Sequence, residues 1–160
     1  MQKRNVGFEL YVYDSLKELS EEDQLLMNAA INARKNAYAP YSNFKVGAAV
    51  KMSSGEIVIG SNQENASYPS GLCAERVAVF QAGALYPETP ITAIAISAGS
   101  VNYKVNRPAA PCGNCRQSIA EYEQKQNGNI RLLMMGEIGQ VYSCGSLADI
   151  LPLGFDNSYL

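Results

Sequence analysis

Apolar residues recur at helical spacing along "LSEEDQLLMNAAINARKNAY", with Leu25, Leu26, Ala29, Ala30 and Ala33 on one stripe. That pattern predicts an amphipathic helix, and Ser20 stands where its N-cap belongs, with Asp23 three residues on. "APYSN" ends it. The period then changes: "FKVGAAVKM" and "EIVIGSNQE" flank "SSG" and predict a hairpin. "CAERVAVFQAGALY" predicts a second helix, stopped by Pro87 and Pro90, and "ITAIAISAG" a buried strand. "PCGNCRQSIAEYEQKQNG" predicts a third helix, with Pro111 in its first turn and Gly128 at its end. "IRLLMMG" and "GQVYSCG" predict two further strands, and "SLADILP" a short closing helix.

Two opening strands followed by helices alternating with strands predict an α/β domain. Its expected form is a three-layer α/β/α sandwich around a mixed sheet of about five strands. No repeat or linker divides the chain, so residues 20–160 are expected to form one domain. Residues 1–19 lie outside the pattern as an N-terminal extension, in which "FELYVY" reads as an extra strand or as an arm packing on a neighbour.

Composition narrows the function. Apolar residues make up 47% and charged residues 18%, with a net charge of −2, which suits a folded soluble domain and argues against a long nucleic-acid partner. There is no run of about 18 apolar residues to cross a membrane, and the first residues lack the apolar core of a signal peptide. A cytoplasmic location is the resulting expectation. The chain has no histidine, so imidazole-based catalysis is excluded, and acid–base work falls to carboxylates, Lys, Tyr or a metal-bound water.

The four cysteines are Cys73, Cys112, Cys115 and Cys144. In a reducing compartment, close cysteines point to metal or redox chemistry before a disulfide. Cys112 and Cys115 are three apart, so on a helix their sulfurs share a face. Cys73 also opens a helix, and helix N-termini favour thiolates. Three thiolates around Zn²⁺ leave a tetrahedral ion one open position, where a bound water loses its proton near neutral pH. Glu75, two residues from Cys73, is placed to move that proton. Arg76 and Arg116 are candidates to offset the thiolate charge and donate to sulfur. Other readings stay open: the Cys112/Cys115 pair also suits a structural zinc half-site, a redox dithiol or buried thiols, and Cys144 is either a buried apolar residue or a fourth ligand.

"CAER" followed by "PCGNCRQ" resembles the zinc nucleobase-deaminase signature in its three-cysteine form. With "YAPYSNFKVGAAV", "GSNQENASY" and "ILPLGF" in order, the chain resembles the small tetrameric cytidine deaminases from about residue 24 to 156. The resemblance implies one zinc per subunit on Cys73, Cys112 and Cys115, with Glu75 as general acid/base. It implies that Asn62 and Glu64 bind the sugar 3′-hydroxyl, that Phe44 packs on the base and that the Ala74 N–H meets the base's exocyclic edge. It further implies that Ala66, Tyr68 and Phe155 reach a neighbouring subunit's site in a homotetramer, and that Arg76, held by Gln117, tempers the thiolate charge. The expected reaction is hydrolytic deamination of cytidine and 2′-deoxycytidine to the uridines and ammonia, for pyrimidine salvage. "YPSGLCAER" departs from the commoner pattern and is similar also to the blasticidin-type deaminases of nucleoside antibiotics. A non-enzymatic structural zinc domain is the alternative from another class.

Overall fold

The computed structural model describes residues 1–160. A short strand, β1 (Tyr11–Tyr13), precedes helix α1 (Glu21–Lys35) and the hairpin β2 (Phe44–Met52) and β3 (Ile57–Ser61). Helix α2 (Ala74–Leu85), strand β4 (Ile91–Ser100), helix α3 (Gly113–Gln126) and strands β5 (Arg131–Met135) and β6 (Val141–Cys144) follow. The six strands form one mixed sheet in the order β1-β6-β5-β4-β2-β3. Only β4 and β5 run parallel, joined by the crossover through α3; the other neighbours are antiparallel.

The three layers follow from period-2 alternation in the strands. On one face Val50, Ile94, Ile96, Leu132 and Met134 pack with Ala78 and Val79 of α2 and Ile119 of α3. On the other, Ala49, Ala93, Ala95 and Leu133 meet Leu26, Met27 and Ala30 of α1. Alanines on the α1 side let that helix approach closely. At Gly47 a Cβ would stand 2.1 Å from the Ala30 carbonyl oxygen, so only glycine fits. Gly60 does the same for α2: a Cβ there would meet the Ala78 nitrogen at 2.5 Å and the Ala74 carbonyl oxygen at 2.6 Å. That contact seats the first turn of α2, which holds Glu75, directly on β3.

The elements differ from expectation in five places. The sheet has six strands, because Tyr11–Tyr13 pair with Val141–Ser143 at its edge. Helix α1 ends at Lys35, short of Tyr38. Helix α3 starts at Gly113, leaving Pro111 outside and Cys112 at the N-cap, because the Cys112 backbone is still extended (φ −67°, ψ 168°). Its C-cap is Asn127, in the left-handed conformation (φ 49°), one residue before Gly128. The closing helix is a single 3₁₀ turn, Leu147–Ile150, capped by Ser146 and Asp149.

Candidate active site

Helices α2 and α3 lie on the same face and begin at the same end of the sheet. Cys73 is the N-cap of α2 and Cys112 that of α3, and neither side chain caps its own helix. Their sulfurs turn toward each other instead, 3.8 Å apart. One turn into α3, Cys115 places its sulfur 3.5 Å from that of Cys112. All three lie within 4.8 Å of one another. Four-coordinate zinc at the usual Zn–S length of about 2.3 Å needs sulfurs about 3.8 Å apart, so the donor set fits the ion. Cys144 stands outside the cluster. It is fully buried in β6, its thiol donates to the Ser146 carbonyl at 3.5 Å, and burial pushes it up to about 11. A closed four-cysteine site is therefore not formed.

The electrostatics suit a cation. A hydrogen bond from the Cys115 thiol, with further ones from Cys112 and Arg76, outweighs burial and brings the Cys73 thiol down to about 5. Cys115 shifts the opposite way, because it keeps the proton it shares with Cys73 and because it is buried. Two helix N-termini add roughly half a positive charge each. Glu75, in the first turn of α2, is only 5% exposed. Burial pushes its carboxyl up and the Cys73 charge adds to this, against a hydrogen bond from its own N–H and the charge of Arg76. A carboxyl so placed exchanges protons more readily than a solvated one.

A cleft of about 640 Å³ opens over Cys73, Cys112 and Glu75. Of the residues expected there, Phe44, Asn62, Glu64 and Arg76 line it; so does Tyr68, which was expected at a neighbouring subunit's site. The backbone explains why they converge: Gln63 and Leu72 exchange two 2.9 Å hydrogen bonds, and Tyr38 bonds to Asn62 and Glu64 on the other side. The segment after β3 is thus held between the end of α1 and the loop entering Cys73. Asn62 accepts from the Val46 N–H at 2.8 Å and donates to the Phe44 carbonyl at 3.0 Å, which leaves one amide hydrogen free to face the cleft. Glu64 accepts from the Tyr41 N–H at 2.9 Å and from the Ser42 hydroxyl, and the latter bond foremost holds its carboxyl below the ordinary range. Ala74 is buried, and its N–H, first in α2, donates to nothing in the protein.

Other expected residues lie elsewhere. Ala66 and Phe155 are exposed and outside the cleft; Phe155 stacks on Tyr159 at 5.4 Å. Gln117 does not hold Arg76 but donates to the Phe155 carbonyl at 3.0 Å. Arg116 does not reach sulfur; its guanidinium donates to the carbonyls of Pro111 and Ile150, tying the start of α3 to the closing turn. Arg76 alone lies against the thiols, donating to Gly71 at 3.4 Å with its Nε buried and unpartnered in the protein. Tyr41, Ser42, Ala109 and Ala110 also line the cleft. The first two sit in "APYSN", where the pattern signalled only a helix break.

Sulfurs arranged for one metal ion, beside a buried carboxyl and under an open cleft, are the equipment of the zinc nucleobase deaminases. The profile of the cytidine and deoxycytidylate deaminase zinc-binding region matches residues 20–127. A cytidine deaminase of Halalkalibacterium halodurans is 48% identical over 134 residues, 82% of this chain and 92% of the relative. One from Sporosarcina psychrophila is 37% identical over 128 residues, 80% and 87% of the two chains. The crystal structure of cytidine deaminase from Burkholderia pseudomallei superposes with a TM-score of 0.73 at 39% identity, covering 86% of this chain and 100% of that one. The chain belongs to the cytidine and deoxycytidylate deaminase family, and its three-cysteine cluster is a zinc site.

Proposed function

We infer that this protein is a cytidine deaminase, converting cytidine and 2′-deoxycytidine with water to uridine and 2′-deoxyuridine plus ammonia. The observation that carries this reading is the joint opening of Glu75 and of Cys73 and Cys112 of the three-sulfur cluster onto one cleft of nucleoside size. Cys73, Cys112 and Cys115 would hold zinc, which would supply Lewis acidity and acidify the attacking water. Glu75 takes the proton from the attacking water and delivers it to N3 of the base, which makes C4 electrophilic. As the water oxygen bonds to C4, Glu75 carries the remaining hydroxyl proton to the amino nitrogen, so that the C4–N bond breaks, ammonia leaves and the C4 carbonyl forms. Arg76 balances the negative charge of the sulfurs. The Ala74 N–H, uncommitted in the protein, faces the base's exocyclic edge, and Phe44 packs on the ring.

Asn62, through its remaining amide hydrogen, and Glu64, through its uncommitted lone pairs, bind the sugar 3′-hydroxyl. The carboxylate of Glu64 at that position disfavours a phosphodiester, so free nucleosides are the substrates. Ala66, Tyr68 and Phe155 complete the site of a neighbouring subunit in a homotetramer; Tyr68 is 75% and Phe155 56% exposed, although each has one aromatic neighbour in its own chain. No helix is long and apolar enough to cross a membrane, and four free thiols suit the reducing cytoplasm. Following the ultraviolet change of cytidine, 2′-deoxycytidine and a single-stranded oligo-deoxycytidylate tests the substrate class. Both nucleosides should be consumed and the oligonucleotide spared; deamination of the oligonucleotide, or of neither nucleoside, contradicts it.

A further inference from the structure

The face of the N-terminal arm is unpartnered. Val6, Phe8, Leu10 and Val12 alternate with Gly7, Glu9 and Tyr11, a period of two that puts all four apolar side chains on one side of an extended chain. They are between 42% and 68% exposed. Residues 1–10 make no backbone hydrogen bond; locally, the Tyr11 hydroxyl donates to Glu9 at 3.2 Å. Beyond them β1 pairs with β6 on one side only and is the outer strand of the sheet, so its other edge offers unmet N–H and C=O groups. The segment lies outside the family profile, which begins at residue 20, and nothing in the proposed chemistry uses it.

We propose that this arm pairs antiparallel with the same arm of a second copy of the chain, joining two sheets edge to edge. Charge complementarity selects the partner and the register. The arm is basic at one end (Lys3, Arg4) and acidic at the other (Asp14), so an antiparallel copy sets opposite charges against each other. When residue 9 lies opposite residue 9, Val6 faces Val12, Phe8 faces Leu10 and Arg4 faces Asp14, all on one face. A shift by two residues in either direction opposes Arg4 to Val12 or Val6 to Asp14, and a shift by one sets the apolar face against the Gly7/Glu9/Tyr11 face. In the favoured register Asn5–Gly7 of each copy continue along the free edge of the other's β1, an isologous two-fold contact. Its one unfavourable pair is Glu9 against Glu9 on the dyad.

That flaw provides the test. Glu9→Cys places two thiols across the dyad, whereas Tyr11→Cys lies opposite Gly7. Mild oxidation of the full-length zinc protein, read by non-reducing electrophoresis and peptide mass spectrometry, should give a covalent dimer linked 9–9′ for Glu9→Cys and at least about tenfold less 11–11′ link for Tyr11→Cys. Hydrogen exchange of residues 5–13 in the wild type should be slowed about tenfold or more relative to Phe8→Asp/Leu10→Asp, and Glu9→Gln should slow it further. Equal linkage of the two cysteine variants, or arm exchange unaffected by Phe8→Asp/Leu10→Asp, overturns the proposal. A protected arm without a 9–9′ link also overturns it, because the arm is then covered by its own chain or by another partner.

Discussion

In the proposed reaction three sulfurs and one carboxylate carry the chemistry, and each is where a local rule puts it. Cys73 and Cys112 sit at N-caps, where free N–H groups and the helix field favour an anion, and Glu75 falls on the first turn behind Cys73, where burial pushes its carboxyl upward. Cys144 belongs to the core. Cys144→Ser should retain full zinc and nearly full turnover, with a destabilisation of about 1 kcal/mol from a hydroxyl in an apolar site; metal analysis and thermal unfolding check this. Cys112 with Cys115 and Cys73 with Glu75 were legible in the sequence because each pair's spacing is local, whereas joining the two pairs, 39 residues apart, rested on the family resemblance. The destinations of Arg116 and Gln117 were not legible: both side chains reach carbonyls in residues 150–155, a segment brought to them only by the finished fold.

At the scale of elements, burial period and breakers placed α1, α2, α3 and the hairpin within a few residues of where they lie. The sheet's sixth strand stayed ambiguous because three residues at an edge, exposed on one face, carry almost no burial signal. The pairing of β4 with β5 across a crossover also leaves no mark in either strand. One ion pair locks this layering: Arg131 of β5 donates to Asp23 of α1 at 2.8 Å. Burial pushes the Asp23 carboxyl up, but the hydrogen bonds and charge of Arg131, with a bond from Ser20, outweigh it and leave it below its ordinary value. A carboxyl lowered on folding stabilises the native state above its unfolded pKa of about 3.9, and that contribution is lost as pH falls through the folded value. Asp23→Asn should therefore lower the melting temperature at pH 6–7, and the gap from wild type should close as pH falls below about 4. A gap that persists in acid would mean the carboxylate charge is not what α1 needs.

At the scale of the whole molecule, the cleft faces out through Tyr41 and Tyr68, rings 6.0 Å apart, and Phe155 lies away from it on the surface. A site finished by a neighbour's Phe155 makes complementation possible. Glu75→Gln and Phe155→Ala subunits, each impaired alone, should regain activity when mixed and allowed to exchange, because some sites then combine an intact Glu75 with a partner's Phe155. Activity no greater than the sum of the two would place Phe155 outside the site.

The central claim is that Glu75 moves protons for a zinc held by three cysteines. Its most direct test compares wild type with Glu75→Gln for zinc content and for cytidine turnover on the same samples. The account predicts about one zinc per chain in both and a loss of kcat of at least about 10²–10⁴-fold in the variant. A Glu75→Gln protein that keeps its zinc and turns cytidine over at the wild-type rate would contradict it.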